Sequence, residues 1–370
     1  MTGGRDLAGA PLDVHAVGGV VVDGPRPGTA VLDARGLTVA PGYVDLQVNG
    51  AAGVDVTAEP ERLWDVAAAL PRFGVTAFLP TVVTAPPAAR TRALAALAAG
   101  PPSGWVGARP LGLHFEGPMI APARAGAHSD TYVVPPGQEV IDGWSSEAGV
   151  AMVTLAPELP GAREVIQALA RRGVVVAAGH TDASAACARD AVDAGVRTVT
   201  HLFNAMAPIH HRDPGLAGAV LAGLPVAASL IADGRHLDPE ILRIAWRALG
   251  DGRRLLVSDA CAGLGAPPGR YRLGDVAITS DGTTARTDGG GFGGSVSGLD
   301  SCVRNAVAFT GCDPGEAVAA ATAAPAALLG APNPGSLRAG AAADLVLLDG
   351  DLRVVVTVVG GVVAHRGVDG

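Results

Sequence analysis

From Tyr43 onward the chain alternates short runs of β-branched and apolar residues with Ala-rich stretches of helical character, and it completes eight such runs before residue 260. The strand-like runs lie at 43–48, 76–82, 110–116, 151–156, 174–179, 197–201, 226–232 and 254–258, with helical stretches at 61–73, 88–98, 162–171, 184–194 and 239–249. A helical crossover returns the chain to the same end of the sheet, so strands joined this way run parallel. Eight of them predict an α/β fold with a (β/α)8 TIM-like barrel, and a doubly wound open sheet is the structural alternative. Asp182 and Asp238 stand where the helices at 184 and 239 need N-caps.

The two ends read differently. Strand-like runs at 29–32, 344–348 and 354–363 are separated by turns and show little helical period. They predict a small β-sandwich domain built from both chain termini, residues 1–40 and 335–370, around a barrel of residues 41–334. Residues 313–329 are helical by composition, with Pro325 expected to kink or end the helix.

Composition narrows the function classes. With 49% apolar residues, 370 positions supply a core large enough for such a barrel. The net charge is −8 and no basic run exists that could neutralise a row of phosphates, which argues against a nucleic-acid partner. Lysine is absent, so all 27 basic residues are arginine. That removes a Walker P-loop, a Schiff-base lysine and a metal pair bridged by a carboxylated lysine. Cys187, Cys261, Cys302 and Cys312 form no C-x-x-C pair, indicating neither a disulfide framework nor a cysteine zinc cage. The first residues lack the basic start and apolar core of a signal peptide, so a reducing cytoplasm is the expected location. The apolar stretch 216–232 is interrupted by Gly218, Gly223 and Pro225 and reads as helix tail, turn and buried strand, so no membrane association is expected.

In a barrel of this kind the reactive groups gather where strands end. Gln47 and Asn49 end the first strand, Glu116 the third, His180 the fifth and His201 the sixth; His236 lies just beyond the seventh, and Asp259 ends the eighth. Singly, a histidine beside an apolar run is usually a satisfied core or loop residue. The conjunction alters that reading. Glu116, His180 and His201, separated by 64 and 21 residues, can meet only if each tops a different strand. They would then supply three protein ligands and leave one position open, the pattern of catalytic zinc. A divalent ion so held lowers the pKa of coordinated water toward ~7. Asp259 is the candidate for carrying a proton from that water to a leaving nitrogen; its alternative role is to cap the turn SDACAG.

Other histidines and glycines carry less. His114 shares a strand face with Glu116 and reads as barrel filling or support; His15 and His365 read as structural or surface residues, and His210 and His211 fall in a loop without an assigned role. GGGFGG at 289–294 matches G-x-G-x-x-G but does not follow the first strand of a βαβ unit. It reads as a turn, or as a loop whose backbone comes close to a ligand.

The blocks PGYVDLQVNG, GLHFEGP, RAGAH, AAGHTDA, VTHLFNAM, RDPGLAG, IADGRH, LLVSDA and SLRAGAAADLVLLD, in this order, resemble the N-acetylglucosamine-6-phosphate deacetylases of the amidohydrolase superfamily. The resemblance spans essentially the whole chain and implies hydrolysis of N-acetyl-D-glucosamine 6-phosphate to D-glucosamine 6-phosphate and acetate. It implies that Glu116, His180 and His201 hold the metal and that Asp259 is the acid/base. Ala127, His128, Asn204, Ala205 and His236 would contact the sugar phosphate. Arg212 would bind the phosphate by reaching into the neighbouring subunit's site of a homodimer, a role for which a guanidinium offers paired donors. Phe292, Gly293 and Gly294 stand where the family usually reads LAG, a departure in the pocket wall. Gln47-x-Asn49 replaces the His-x-His of many superfamily members, so one divalent metal per subunit is expected. Zinc is the expected ion; two nitrogens and an oxygen also suit iron and other divalent ions. A cyclic-amide hydrolase or deaminase of the same superfamily would have little use for Arg212 beside HLFNAM. A sugar-phosphate sensor would have no need of Asp259. The choice between glucosamine and galactosamine epimers is open at this level.

Overall fold

The computed structural model describes residues 1–27, 30–331 and 335–367. Eight parallel strands form its centre: β1 Tyr43–Val48, β2 Val75–Val82, β3 Leu113–Glu116, β4 Val150–Leu155, β5 Val175–Ala178, β6 Val196–Val199, β7 Ala227–Leu230 and β8 Arg254–Leu256. Each pairs with the next in sequence order. The seam between β8 and β1 is closed near the mouth, where Val48 bridges Ala260 and the Asn49 N–H donates to the Ala260 carbonyl at 2.7 Å. Deeper in the seam, the Ser258 N–H donates to Asp45 Oδ1 at 3.2 Å. The result is a nearly closed TIM-like barrel, and the open-sheet alternative is excluded.

The strands are buried on both faces. Val44, Leu46, Ala77, Leu79, Met152, Ala177, Ile231, Leu255 and Val257 form one cluster in the barrel interior. The alternate positions pack against outer helices: α1 Leu63–Ala69, α2 Pro87–Ala99, α3 Ala162–Arg171, α4 Ala185–Ala194, α5 Gly215–Leu221, α6 Pro239–Leu249 and α7 Leu299–Thr310. Helix α3 buries Ala162, Val165, Ile166 and Leu169, an i, i+3, i+4, i+7 stripe. Asp238 caps α6 through the Glu240 N–H, as expected. The cap of α4 is Ser184, accepting from the Cys187 N–H, whereas Asp182 pairs with Arg124.

Several local readings are corrected. The third strand begins at Leu113, because Gly112 at φ 115° separates it from a two-residue pairing at Arg109–Pro110. No α-helix follows β3; short 3₁₀ turns at Pro122–Arg124 and Asp130–Tyr132 fill the crossover. The stretch 313–329 breaks at residues 321–322 into α8 Pro314–Ala320 and α9 Ala323–Leu328. Pro325 sits in the first turn of α9, where its missing N–H costs nothing. A three-stranded antiparallel insert, Gly269–Leu273, Val276–Ser280 and Ala285–Thr287, stands between β8 and α7. Its sequence is polar and Gly-rich, without the long apolar runs that mark the barrel strands.

The termini meet in a six-stranded sheet that joins Gly4–Arg5, Pro11–Leu12 and Thr38–Pro41 to Leu345–Leu348, Val354–Val359 and Val362–Arg366. Together with the hairpin His15–Val17 and Val20–Val22 it encloses a second core around Val14, Val21, Leu345, Leu347 and Val356. Of the expected strand at 29–32, residue 29 lies outside the described residues, and 30–32 form no strand. Among the described residues no helix is long and apolar enough to cross a membrane.

Burial pushes the Asp45 carboxyl up to about 7, with the Ser258 and Gln47 hydrogen bonds opposing and Asp259 adding to the rise. The folded chain therefore keeps a proton that the unfolded chain has lost, and stability from this group falls as pH rises from about 4 to about 7 and is flat above that. Asp45→Asn keeps the Oδ1 acceptor and removes the titration. Urea midpoints should show wild type losing ground to the variant between pH 5 and pH 8; a constant difference would refute this account of the seam.

Candidate active site

The chain turns sharply at the C-terminal ends of the strands, and those turns aim the side chains inward. His180, His201 and Asp259 follow β5, β6 and β8 with φ of 49°, 31° and 50°, the left-handed region that non-glycine residues seldom occupy. Such strain persists where the surrounding structure imposes it, which is common at working sites. One brace is the Ser229 hydroxyl, accepting from the His201 N–H at 2.7 Å. Another is Gly294: a Cβ there would lie 2.9 Å from the Asp259 carbonyl oxygen, so only glycine lets this loop pass.

Glu116 Oε1 lies 3.2 Å from His180 Nε2 and 3.0 Å from His201 Nε2, and the two nitrogens are 3.2 Å apart. All three side chains are buried. The Arg124 carbonyl, 2.8 Å from His180 Nδ1, accepts the Nδ1 proton and leaves the Nε2 lone pair toward the centre. Two imidazole nitrogens and a carboxylate oxygen aimed at one point are a donor set for a divalent cation, and the three residues fit one.

The amides of the first strand hold the two carboxylates apart. Gln47 Nε2 donates to Glu116 Oε1 at 2.9 Å, and Asn49 Nδ2 donates to Asp259 Oδ1 at 2.8 Å. Burial raises the Glu116 carboxyl, but the His128, His180 and His201 imidazoles packed against it outweigh that and hold the group well below the usual range. Burial pushes Asp259 up to about 6, aided by the negative charge of Glu116. Two carboxylates of one cavity are thus driven in opposite directions, the arrangement that separates a permanent anion from a proton carrier.

These groups open on a cavity of ≈ 260 Å³. Of the residues singled out in the sequence, Asn49, Glu116, Ala127, His128, His180 and His201 line it, as do Asn204, Ala205, His236, Asp259, Phe292 and Gly294. Gln47 stands behind Glu116. Gly293 does not line the cavity; its Cα faces Ile278 of the insert, where a Cβ would come within 2.4 Å. Arg212 lies outside, on the exposed loop closed by a His210–Asp213 bridge, with its guanidinium 2.6 Å from His211 Nε2. His128, read as a sugar contact, also reaches Glu116 Oε2 at 3.5 Å and shares Nδ1 with the Thr84 hydroxyl at 2.9 Å.

A profile of the amidohydrolase family matches residues 38–364, and the human N-acetylglucosamine-6-phosphate deacetylase is 40% identical over 344 residues, covering 89% of this chain and 84% of that one. The chain is an amidohydrolase of the N-acetylglucosamine-6-phosphate deacetylase family. Among solved structures, the deacetylase of Thermotoga maritima superposes with a TM-score of 0.89 at 28% identity over 99% of both chains. A mutant of the Mycobacterium smegmatis enzyme in complex with N-acetyl-D-glucosamine-6-phosphate gives 0.85 at 36% identity, over 95% of this chain and 94% of that one.

Sequence reading of this deacetylase missed the apolar walls Val83 and Leu273 and, above all, Asp233, whose carboxylate is 2.8 Å from His236 Nδ1. The available signal was local: an Asp three residues before a His, in a turn that its Oδ1 closes by accepting from the Arg235 and His236 N–H groups. Glu116→Gln removes the anionic donor from the centre. A purified variant should hold divalent metal more than ~100-fold more weakly, beyond the 10–100-fold typical of losing a supporting partner. Elemental analysis after gel filtration, with circular dichroism to verify folding, measures this; full metal retention would exclude Glu116 as a ligand.

Proposed function

We propose that this deacetylase hydrolyses the acetamido group of N-acetyl-D-glucosamine 6-phosphate, releasing D-glucosamine 6-phosphate and acetate. The observation that carries the reading is the convergence, in one cavity, of the Glu116, His180 and His201 donors with a buried Asp259 of raised pKa. The relative solved with N-acetyl-D-glucosamine-6-phosphate supports the substrate. Glu116, His180 and His201 would hold a divalent ion, which would make a water easier to deprotonate and would polarise the amide carbonyl as a Lewis acid. Asp259 takes the proton of the attacking water as the new C–O bond forms. It then returns a proton to the nitrogen as the C–N bond breaks, so that acetate and amine leave in balance. A value near 6 lets one carboxyl serve both steps near neutrality. Asn49 holds Asp259, and Gln47 holds Glu116.

Ala127, His128, Asn204, Ala205 and His236 are assigned to the sugar phosphate, with Phe292 and Gly294 as its wall. No arginine lines the cavity among the described residues. Arg212 is therefore assigned to the phosphate of a partner subunit's substrate in a homodimer. One zinc per chain is the favoured complement, because Gln47 and Asn49 occupy the place of a second histidine pair. A cytoplasmic location fits four thiols with no disulfide among them. Residues 1–40 with 335–370 and residues 41–334 are the two domains of this reading.

Acetate release should be chelator-sensitive, saturate at one metal per chain and vanish with the unphosphorylated sugar; release from the galactosamine epimer alone would reassign the substrate. Asp259→Asn should keep substrate affinity and lose roughly 10²- to 10⁴-fold in kcat, the span of a general acid–base group. Normal turnover by that variant would end this mechanism.

A further inference from the structure

His236 is gripped on two sides. Its Nδ1 lies 2.8 Å from Asp233 Oδ2, and both side chains are almost fully buried, 5% and 3% exposed. Phe292 lies against the ring, with centroids 4.4 Å apart and planes inclined by 34°, and the Arg286 guanidinium sits over the Phe292 ring at 4.3 Å from its centroid. Asp233 is itself fixed. Its Oδ1 accepts from the Arg235 and His236 N–H groups, both at 2.8 Å, and its Oδ2 also accepts from the Ser295 hydroxyl at 3.2 Å. Ser295 in turn ties back to the acid/base segment, its N–H donating to the Asp259 carbonyl at 2.8 Å.

A carboxylate can only accept, so the proton between Asp233 and His236 resides on Nδ1. Nε2 is then the ring's one variable atom, and the ring lines the cavity. We propose that Asp233 is a positioning residue that holds His236 by its Nδ1–H, so that Nε2 is the ring atom presented to the substrate. Phe292, its ring centroid 4.4 Å from that of the imidazole, fixes the plane of the ring. The inference deepens the deacetylase reading and rests on it for the identity of the substrate. The tautomer itself does not.

Asp233→Asn separates orientation from folding. Its Oδ1 can still close the 233–236 turn, which places Nδ2 against His236 Nδ1. An amide N–H there donates to the ring and forces the proton to Nε2. In zinc-loaded protein, ¹⁵N chemical shifts of the His236 ring should report Nδ1–H in wild type and Nε2–H in the variant, a change that a merely structural role would not produce. With N-acetyl-D-glucosamine 6-phosphate, kcat/KM should fall roughly 10- to 100-fold, the usual loss when the partner of a working imidazole is removed, at unchanged metal content. An Nε2–H ring in wild type, or an inverted tautomer with unchanged kcat/KM, would overturn the proposal. Wild type that shows the Nδ1–H ring yet releases no acetate would instead sink the deacetylase reading, and with it the catalytic half of the inference.

Discussion

Three electron-rich atoms held within about a hydrogen bond's length of each other are the constraint on which this molecule turns. Glu116 Oε1 and the Nε2 atoms of His180 and His201 are mutually 3.0 to 3.2 Å apart. A buried anion beside two lone pairs is costly unless a cation or proton sits among them. The fold meets that demand by rigidity. Each ligand stands at or just past the end of a different parallel strand, and the strands are locked by register on both sides. The two histidines are turned inward through backbone conformations that an unsupported loop would relax.

The supports reach outward in layers. Gln47 and Asn49 use the first strand to hold the carboxylates of the third and eighth, so the seam that closes the barrel also sets the distance between Glu116 and Asp259. Asp45, beneath them, takes the Ser258 N–H and binds the same seam. Closure of the barrel and assembly of the site are thus one event. A chain that failed to bring β8 against β1 would lose Asp259 from the cavity even with Glu116, His180 and His201 in place.

Burial in this mouth has opposite electrostatic results for neighbouring groups. Glu116 is surrounded by three imidazoles and stays anionic, while Asp259 has one amide donor and the field of Glu116 and is pushed toward neutrality. Asp233 is drawn below the usual range because His236 and two backbone N–H groups outweigh its burial. Three buried carboxylates of one site therefore differ in role through their partners, not through depth.

The sequence by itself determined the βα rhythm, the eight strands and the candidate donors Glu116, His180 and His201, because those depend on local pattern and on residue types at strand ends. The terminal sheet was legible as strand-like runs for the same reason. Tertiary structure alone decided what lies between. The antiparallel insert carries no apolar period, since its strands bury only a few side chains such as Leu273, Ile278 and Ala285 against the mouth. The break of 313–329 falls where the Ala321 carbonyl accepts from the Val44 N–H, a long-range contact that no local propensity encodes. Asp233 escaped notice because its partner His236 lines a cavity that residues from Asn49 to Gly294 must first enclose. Local chemistry names the candidates; only the closed barrel decides which of them meet, because hydrogen bonds between residues such as Asn49 and Asp259 exist only after distant strands have paired.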